Sequence, residues 1–504
     1  MRTDVLAWIV LALSTACGTA GAGQPAVTVY NQNFGVVREM IVLDLQRGVN
    51  RLEFNDITAH VEPDSVILRD PAGRHRIQIV EQNYRADPLS QTLLLSLYEG
   101  KTITFLVAGK DEPVMGRIVR SGYVPHRQAW QRYGRQYYQT QMEYAGPTGG
   151  GQPIIEIDGQ LRFGLPGTPL FPSLADDTIL EPTLHWVLET DVAGRLDAEL
   201  SYVTGGMSWK ADYNVVAPEE GDVLDLVGWV TIDNQCGKTF ADARIKLMAG
   251  DVSKIQPAEP GGRMSYRFLD SSRGGGMGPP VTEKAFDEYH LYTLERPTTL
   301  RDRETKQVEF VRAGGVQSQR VYVYDGARIE HWRYQGWDPH SLRTHRDYGA
   351  QSNPKVWVMR EFQNAADNQL GMALPAGRVR FYRRDADGQL EFTGENKIDH
   401  TPKDETISVY TGSSFDLVGE RRRTHFAVDT NANWLDEAFE IKLRNHKQEA
   451  VEVRIVEHLY RWRGWDIQGK SHDFTKIESQ TIEFRVTVPP DGETVVTYKV
   501  HYTW

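Results

Sequence analysis

The chain is poor in cysteine, with only Cys17 and Cys236 among 504 residues. If an N-terminal leader is removed, a single thiol remains and no internal disulfide can form. Size, not cross-linking, must then supply the core. The one cysteine left has no reactive signature around it and reads as a small buried hydrophobe. Positive charge is also short: 57 Lys and Arg face 68 Asp and Glu, for a net charge of −11. That balance weighs against a general nucleic-acid binder. Heptads, fixed-period repeats, HExxH, paired-cysteine spacing and a G-x-S-x-G elbow are missing as well. Their absence leaves coiled coils, zinc proteases and α/β-hydrolases without support.

What is present begins with a leader. Arg2 precedes an apolar stretch over residues 5–13, too short for the ~20 residues that a membrane-spanning helix needs. Ala20-Gly21-Ala22 follows as a small-residue cleavage site. Residues 1–22 are thus expected to be a signal peptide, which makes the mature chain exported and periplasmic or extracellular. The alternative is a lipoprotein acylated on Cys17. Leu13 lies one position too far upstream for the usual motif, so this is the lesser reading.

The stretch that organises the rest is 200–252. It reads as three or four strands punctuated by Gly205-Gly206, Glu219-Glu220-Gly221-Asp222 and Asn234-Gln235-Cys236-Gly237. Tyr202, Trp209, Tyr213 and Trp229 are the large side chains expected to anchor its core. Period-two alternation recurs before and after it, as in Ile41/Leu43/Leu45, Phe439/Ile441/Leu443, Val451/Val453/Ile455 and Ile482/Phe484/Val486/Val488. Asp385-Ala386-Asp387-Gly388 marks a hairpin turn. The class that fits is all-β, with two or more β-sandwich (immunoglobulin-like) domains and irregular insertions. The expected division is an N-terminal β domain over 23–110, a connecting region over 111–195, and a mainly β region over 196–504 with loop insertions at 255–285 and 326–353. A short helix with Ser173 as N-cap fits 171–187.

Several of these segments carry a resemblance. They are 206–213 (GMSWKADY), 243–250 (ARIKLMAG), 289–308 (YHLYTLERPTTLRDRETKQV) followed by Val321-Tyr322-Val323-Tyr324, and Phe415-Asp416 with Arg421-Arg422-Arg423 and 441–457 (IKLRNHKQEAVEVRIVE). Together, in this order, they resemble a bacterial family of unknown function that includes the mucoidy inhibitor A-like proteins. The resemblance spans more than half of the chain, from about residue 200 onward, and residues 27–68 look like the module that often precedes it. Longer members carry a coiled coil between the two modules, and 111–195 has no heptads. The resemblance implies an envelope-associated protein, with a hint of surface polysaccharide. It supplies no catalytic residues.

Chemistry is sparse. His340 and His345, with Asp338 and Asp347, could converge on a metal, but scattered loop histidines fit the same pattern, so no metal or cofactor is expected. His458 beside Glu457 and His472-Asp473 are no stronger. Asp176-Asp177 and Asp385/Asp387 sit in turns and do not face each other across a cleft, as glycosidase chemistry requires. The sharper groups are aromatic and basic. Trp130, Tyr133, Arg135 and Tyr137 form one; Trp462, Arg463 and Trp465, within the segment YRWRGWD, form the other. Exposed aromatic faces stack on sugar rings and arginines take carboxylates in a bidentate fork. The same residues also suit edge-covering positions with their cations reaching out to solvent. The final alternation Val496/Tyr498/Val500/Tyr502/Trp504 fits the closing strand of a sandwich, and less well the last strand of an outer-membrane barrel. The expected function is a non-enzymatic binding or interaction module of the cell envelope, with an envelope protein or an anionic polysaccharide as partner. A hydrolase acting on envelope glycans or peptides is the alternative.

Overall fold

In the computed structural model the residues described are 24–85, 90–109, 112–123, 152–172, 180–250, 281–286, 289–329 and 334–504. Strands make up 63% of the described residues and helix 5%, with the strands distributed over several separate sheets, so the protein is all-β. The chain divides into two compact units that exchange segments. The first comprises 1–208, 233–269 and 296–305; the second comprises 209–232, 270–295 and 306–504.

In the first unit, Ala26–Tyr30 lies between Phe34–Leu45, its antiparallel partner, and Phe240–Ala249, its parallel one. Gly194–Gly205 continues the sheet on the far side of Phe34–Leu45 and pairs in turn with Ile67–Arg69. Val27, Val29, Val37, Ala198 and Leu200 are fully buried on its inner face. Within 111–195, expected as a connecting region, lie the strands Val114–Arg120, Ile154–Ile157, Gln160–Phe163 and Thr168–Leu170. They join Thr102–Leu106 in a five-stranded sheet. Its apolar side, Ile103, Phe105, Ile118 and Ile155, packs with Leu94, Leu95 and Tyr98 at the helix Gln91–Leu97, a helix that the strand pattern of 23–110 does not announce. The helix expected over 171–187 is not formed across its second half. Thr183–Thr190 is instead the central strand between Gly48–Phe54 and Ile77–Arg85. Its burial alternates along Leu184, Trp186 and Leu188, which overrides the weak cap signal; Ser173 lies outside the described residues.

Gly206 shows why the turn expected after residue 205 needs glycine. Its φ is +78°, and a Cβ there would stand 2.8 Å from the Gln235 carbonyl oxygen. Nearby, Cys236 is buried, and burial pushes its thiol up to about 12.

The second unit is built on an extended sheet. Its strands run in the order Leu390–Ile398, Gly377–Arg384, Met207–Ala217, Val223–Asn234, Glu304–Asp325, Lys355–Gln363, Thr406–Asp429, Trp434–Asn445, Gly492–Thr503 and Trp465–Lys470. Val451–His458 pairs in parallel with the end of Glu304–Asp325 and antiparallel with Thr481–Val488. The expected alternations point inward: Leu435, Phe439, Ile441, Leu443, Val453, Ile455, Phe484, Val496, Tyr498, Val500 and Tyr502 share one core. The final strand is therefore bonded on both edges, to Trp434–Asn445 and to Trp465–Lys470, with one face in that core. Asp385–Gly388 makes the hairpin turn as read, with the Asp385 amide on the Gln389 carbonyl at 2.8 Å. Trp209 and Tyr213 are buried, and Trp229 is only half-buried.

Candidate functional site

The second unit holds a cleft of about 490 Å³. Strand register assembles it. Arg320 on Glu304–Asp325 stands directly opposite Arg360 on Lys355–Gln363. Like charges facing each other across a ladder repel unless something separates them. Here the separator is Asp222, from the turn that joins Met207–Ala217 to Val223–Asn234. Its Oδ1 accepts from Arg360 Nη1 in a close ion pair and lies 3.5 Å from Arg320 Nη2. Arg383, opposite Ala217 in the neighbouring parallel pair, donates to the carbonyls of Glu219 at 2.7 Å and Gly221 at 3.5 Å. Ser318 Oγ donates to the Asp222 carbonyl. Lys447 Nζ donates to the Tyr322 hydroxyl at 2.6 Å.

Four cations, Arg320, Arg360, Arg383 and Lys447, thus line the cleft, together with one carboxylate, Asp416. Asp222 offsets only part of this charge. The Arg383 guanidinium is held below its ordinary pKa, first by burial and then by repulsion from Arg320 and Arg360. The Arg360 side chain is 7% exposed and that of Arg320 31%, so one guanidinium forms the floor and the other reaches solvent. Ala217, Val358 and Phe381 supply apolar wall; Thr393, Thr411, Ser413 and Ser414 supply hydroxyls; Phe415, 97% exposed, stands among the lining residues. A planar guanidinium presents paired donors that suit bidentate recognition of an oxyanion.

The residues singled out from the sequence lie elsewhere. Trp130, Tyr133, Arg135 and Tyr137 fall outside the described residues. Trp462 and Trp465 are half-buried against the core, and Arg463 is exposed. Each indole already carries a cation on its ring: Arg343 stands 4.3 Å from the Trp462 ring and Lys476 5.0 Å from that of Trp465. The Trp465 indole N–H donates to the Ser479 carbonyl at 3.0 Å.

Between these residues and the core lies a buried charge network. Arg461, the first arginine of the same motif, donates to both oxygens of Glu437, at 2.8 and 3.2 Å, and to the carbonyls of Leu342, Arg343, His345 and Tyr348. Burial works against its charge, but Glu437 more than offsets that and raises its pKa. Arg423 adds a second contact to Glu437 at 3.1 Å. Arg421 is fully engaged with Glu457 at 2.9 Å and with the Gly349 carbonyl at 2.9 Å; Tyr498 donates its hydroxyl to the same Glu457. Glu437 and Glu457 occupy inward positions of alternating strands where the pattern would otherwise place apolar side chains. The network fastens the segment 342–349, part of the expected insertion, to the sandwich.

The histidines singled out from the sequence are engaged in other contacts. Asp338 is the N-cap of the short helix Pro339–Thr344, accepting from the amides of His340 and Ser341. The His345 ring packs edge-on against Trp337. His458 pairs with Asp325 at 3.2 Å. Among the described residues no group of three or more His, Cys, Asp and Glu could hold a metal ion. Among them, too, no helix is long and apolar enough to cross a membrane. The sequence reading missed the four cations of the cleft. Each lies in or just beyond a different strand, and only long-range register brings them together.

No family model matches the chain, and no curated protein matches it. Fold and cleft define an all-β protein with a cleft lined by four cations.

Proposed function

We propose that the protein is a non-enzymatic binding module of the cell envelope, and that its cationic cleft takes the acidic group of an envelope polysaccharide. The observation that carries this reading is the set of four cations, only partly neutralised by Asp222, around one cleft. The exposed ring of Phe415 among the lining hydroxyls supports a sugar as the body of the ligand, since an aromatic face stacks on a pyranose and hydroxyls exchange hydrogen bonds with it. In this reading the leader over residues 1–22 delivers the chain across the membrane, and the resemblance to mucoidy inhibitor A-like proteins is one of shared ancestry.

The test is calorimetry of the chain from Gly23 onward against a uronic-acid oligomer and a neutral oligomer of equal length, at low and high salt. The acidic oligomer binds, salt weakens it, and the neutral one does not compete. Arg320→Gln with Arg383→Gln lowers affinity by about tenfold or more while circular dichroism stays that of the parent, because charge-assisted hydrogen bonds are the strong ones. Equal affinity for both oligomers, or no change in the double variant, would overturn the proposal.

A further inference from the structure

Asp222 is not itself a lining residue of the cleft, yet its carboxylate engages two residues that are. Its carboxylate reaches between two guanidiniums that face each other across a ladder, and those guanidiniums belong to the lining of an open cleft. A buried structural pair would be sealed, but the Asp222 side chain is 41% exposed. The backbone of its turn is secured separately. Arg383 holds the carbonyls of Glu219 and Gly221, and Ser318 holds the carbonyl of Asp222 itself. The turn therefore does not need the carboxylate to keep its shape. Its tip also has room: Gly221 has a φ of +87°, and a Cβ there would meet nothing within 4 Å.

We propose that Asp222 is an internal competitor for the cleft, its carboxylate holding the place that a ligand carboxylate takes, so that binding displaces it from Arg320 and Arg360. This rests on the cleft being an anion site, and it narrows the ligand to a carboxylate-bearing one, since a carboxylate is what the two guanidiniums already accommodate. The exchange is between like groups: one carboxylate leaves the arginine pair, rotates into solvent, and another enters. Asp222 thereby sets a threshold that an isolated weak anion does not pass, whereas a ligand with additional contacts to Lys447 or Phe415 does.

The experiment compares the parent with Asp222→Asn and Asp222→Glu, each titrated with trigalacturonate by calorimetry. Asp222→Asn removes the competing charge and binds about tenfold more tightly, the scale of one partly exposed charge-assisted contact. Asp222→Glu keeps the charge and stays near the parent. If the parent binds and Asp222→Asn binds equally or more weakly, the competitor is refuted while the cleft remains an anion site. If neither parent nor Asp222→Asn binds, the cleft reading falls and takes the competitor with it. Should melting curves show Asp222→Asn unfolded, Asp222→Ser repeats the comparison with a smaller neutral side chain.

Discussion

Replacing Arg461 by alanine is expected to be among the most damaging single changes to the second unit. Arg461 and Glu437 are both buried, and the arginine reaches both Glu437 and the carbonyls of Leu342, Arg343, His345 and Tyr348. Its loss leaves a carboxylate with no solvent access and, among the described residues, the Arg423 contact at 3.1 Å. It also removes the guanidinium donors from the carbonyls of Leu342, Arg343, His345 and Tyr348. Removing one side of such a buried pair costs about 3–5 kcal/mol, a large share of a net stability of roughly 5–15 kcal/mol. The internal comparison is Arg422→Ala. Its pair with Glu440 is 64% and 31% exposed, and exposed pairs contribute only about 0–1 kcal/mol. The assay is urea denaturation followed by tryptophan fluorescence. Trypsin digestion under native conditions runs alongside it, since Arg343 and Arg346 lie in the fastened segment. Arg461→Ala lowers the midpoint strongly and opens those sites; Arg422→Ala does neither. The double variant Arg461→Ala/Glu437→Ala loses less than the sum of the singles, because the orphaned charge is gone. A cost below about 1 kcal/mol for Arg461→Ala, within the range of exposed pairs, would refute the account of the network.

Two further outcomes follow from single residues. Gly206→Ala destabilises by more than Gly388→Ala. Both glycines have positive φ, a cost of about 1–2 kcal/mol for any other residue, but only at Gly206 would the added Cβ also meet backbone, at 2.8 Å from Gln235 O; equal melting temperatures for the two variants would contradict this. His458 has its pKa raised, chiefly by its hydrogen bond to Asp325. A raised histidine contributes stability that is fully present below its unfolded pKa of about 6.5 and is lost as pH rises through the higher folded value. The melting temperature of the parent therefore exceeds that of His458→Gln most at mildly acidic pH, and the gap narrows toward alkaline pH. Parallel curves across that range would remove the role assigned to the pair.

The β class, the hairpin at Asp385–Gly388, the glycine turn at residue 206, the buried Cys236 and the inward residues of the last strands were legible in the sequence. Each depends on neighbours a few positions apart. Alternation fixes which side chains share a face of a strand, and a left-handed turn demands glycine wherever it falls. The division into two units that exchange segments, the strands within 111–195 and the helix Gln91–Leu97 were not legible, because alternation does not say which strands become neighbours. The same limit hid the chemistry. From YRWRGWD one reads an aromatic and basic surface, yet the tertiary structure turns Arg461 inward onto Glu437 and covers the rings of Trp462 and Trp465 with cations. Arg320, Arg360, Arg383 and Lys447 are unremarked basic residues until register sets the first two face to face and brings the others beside them. What the sequence by itself determined was therefore local: faces, turns and class. The cleft and the buried network were decided by long-range pairing, because charges separated by many residues interact only once the sheet has closed the distance between them.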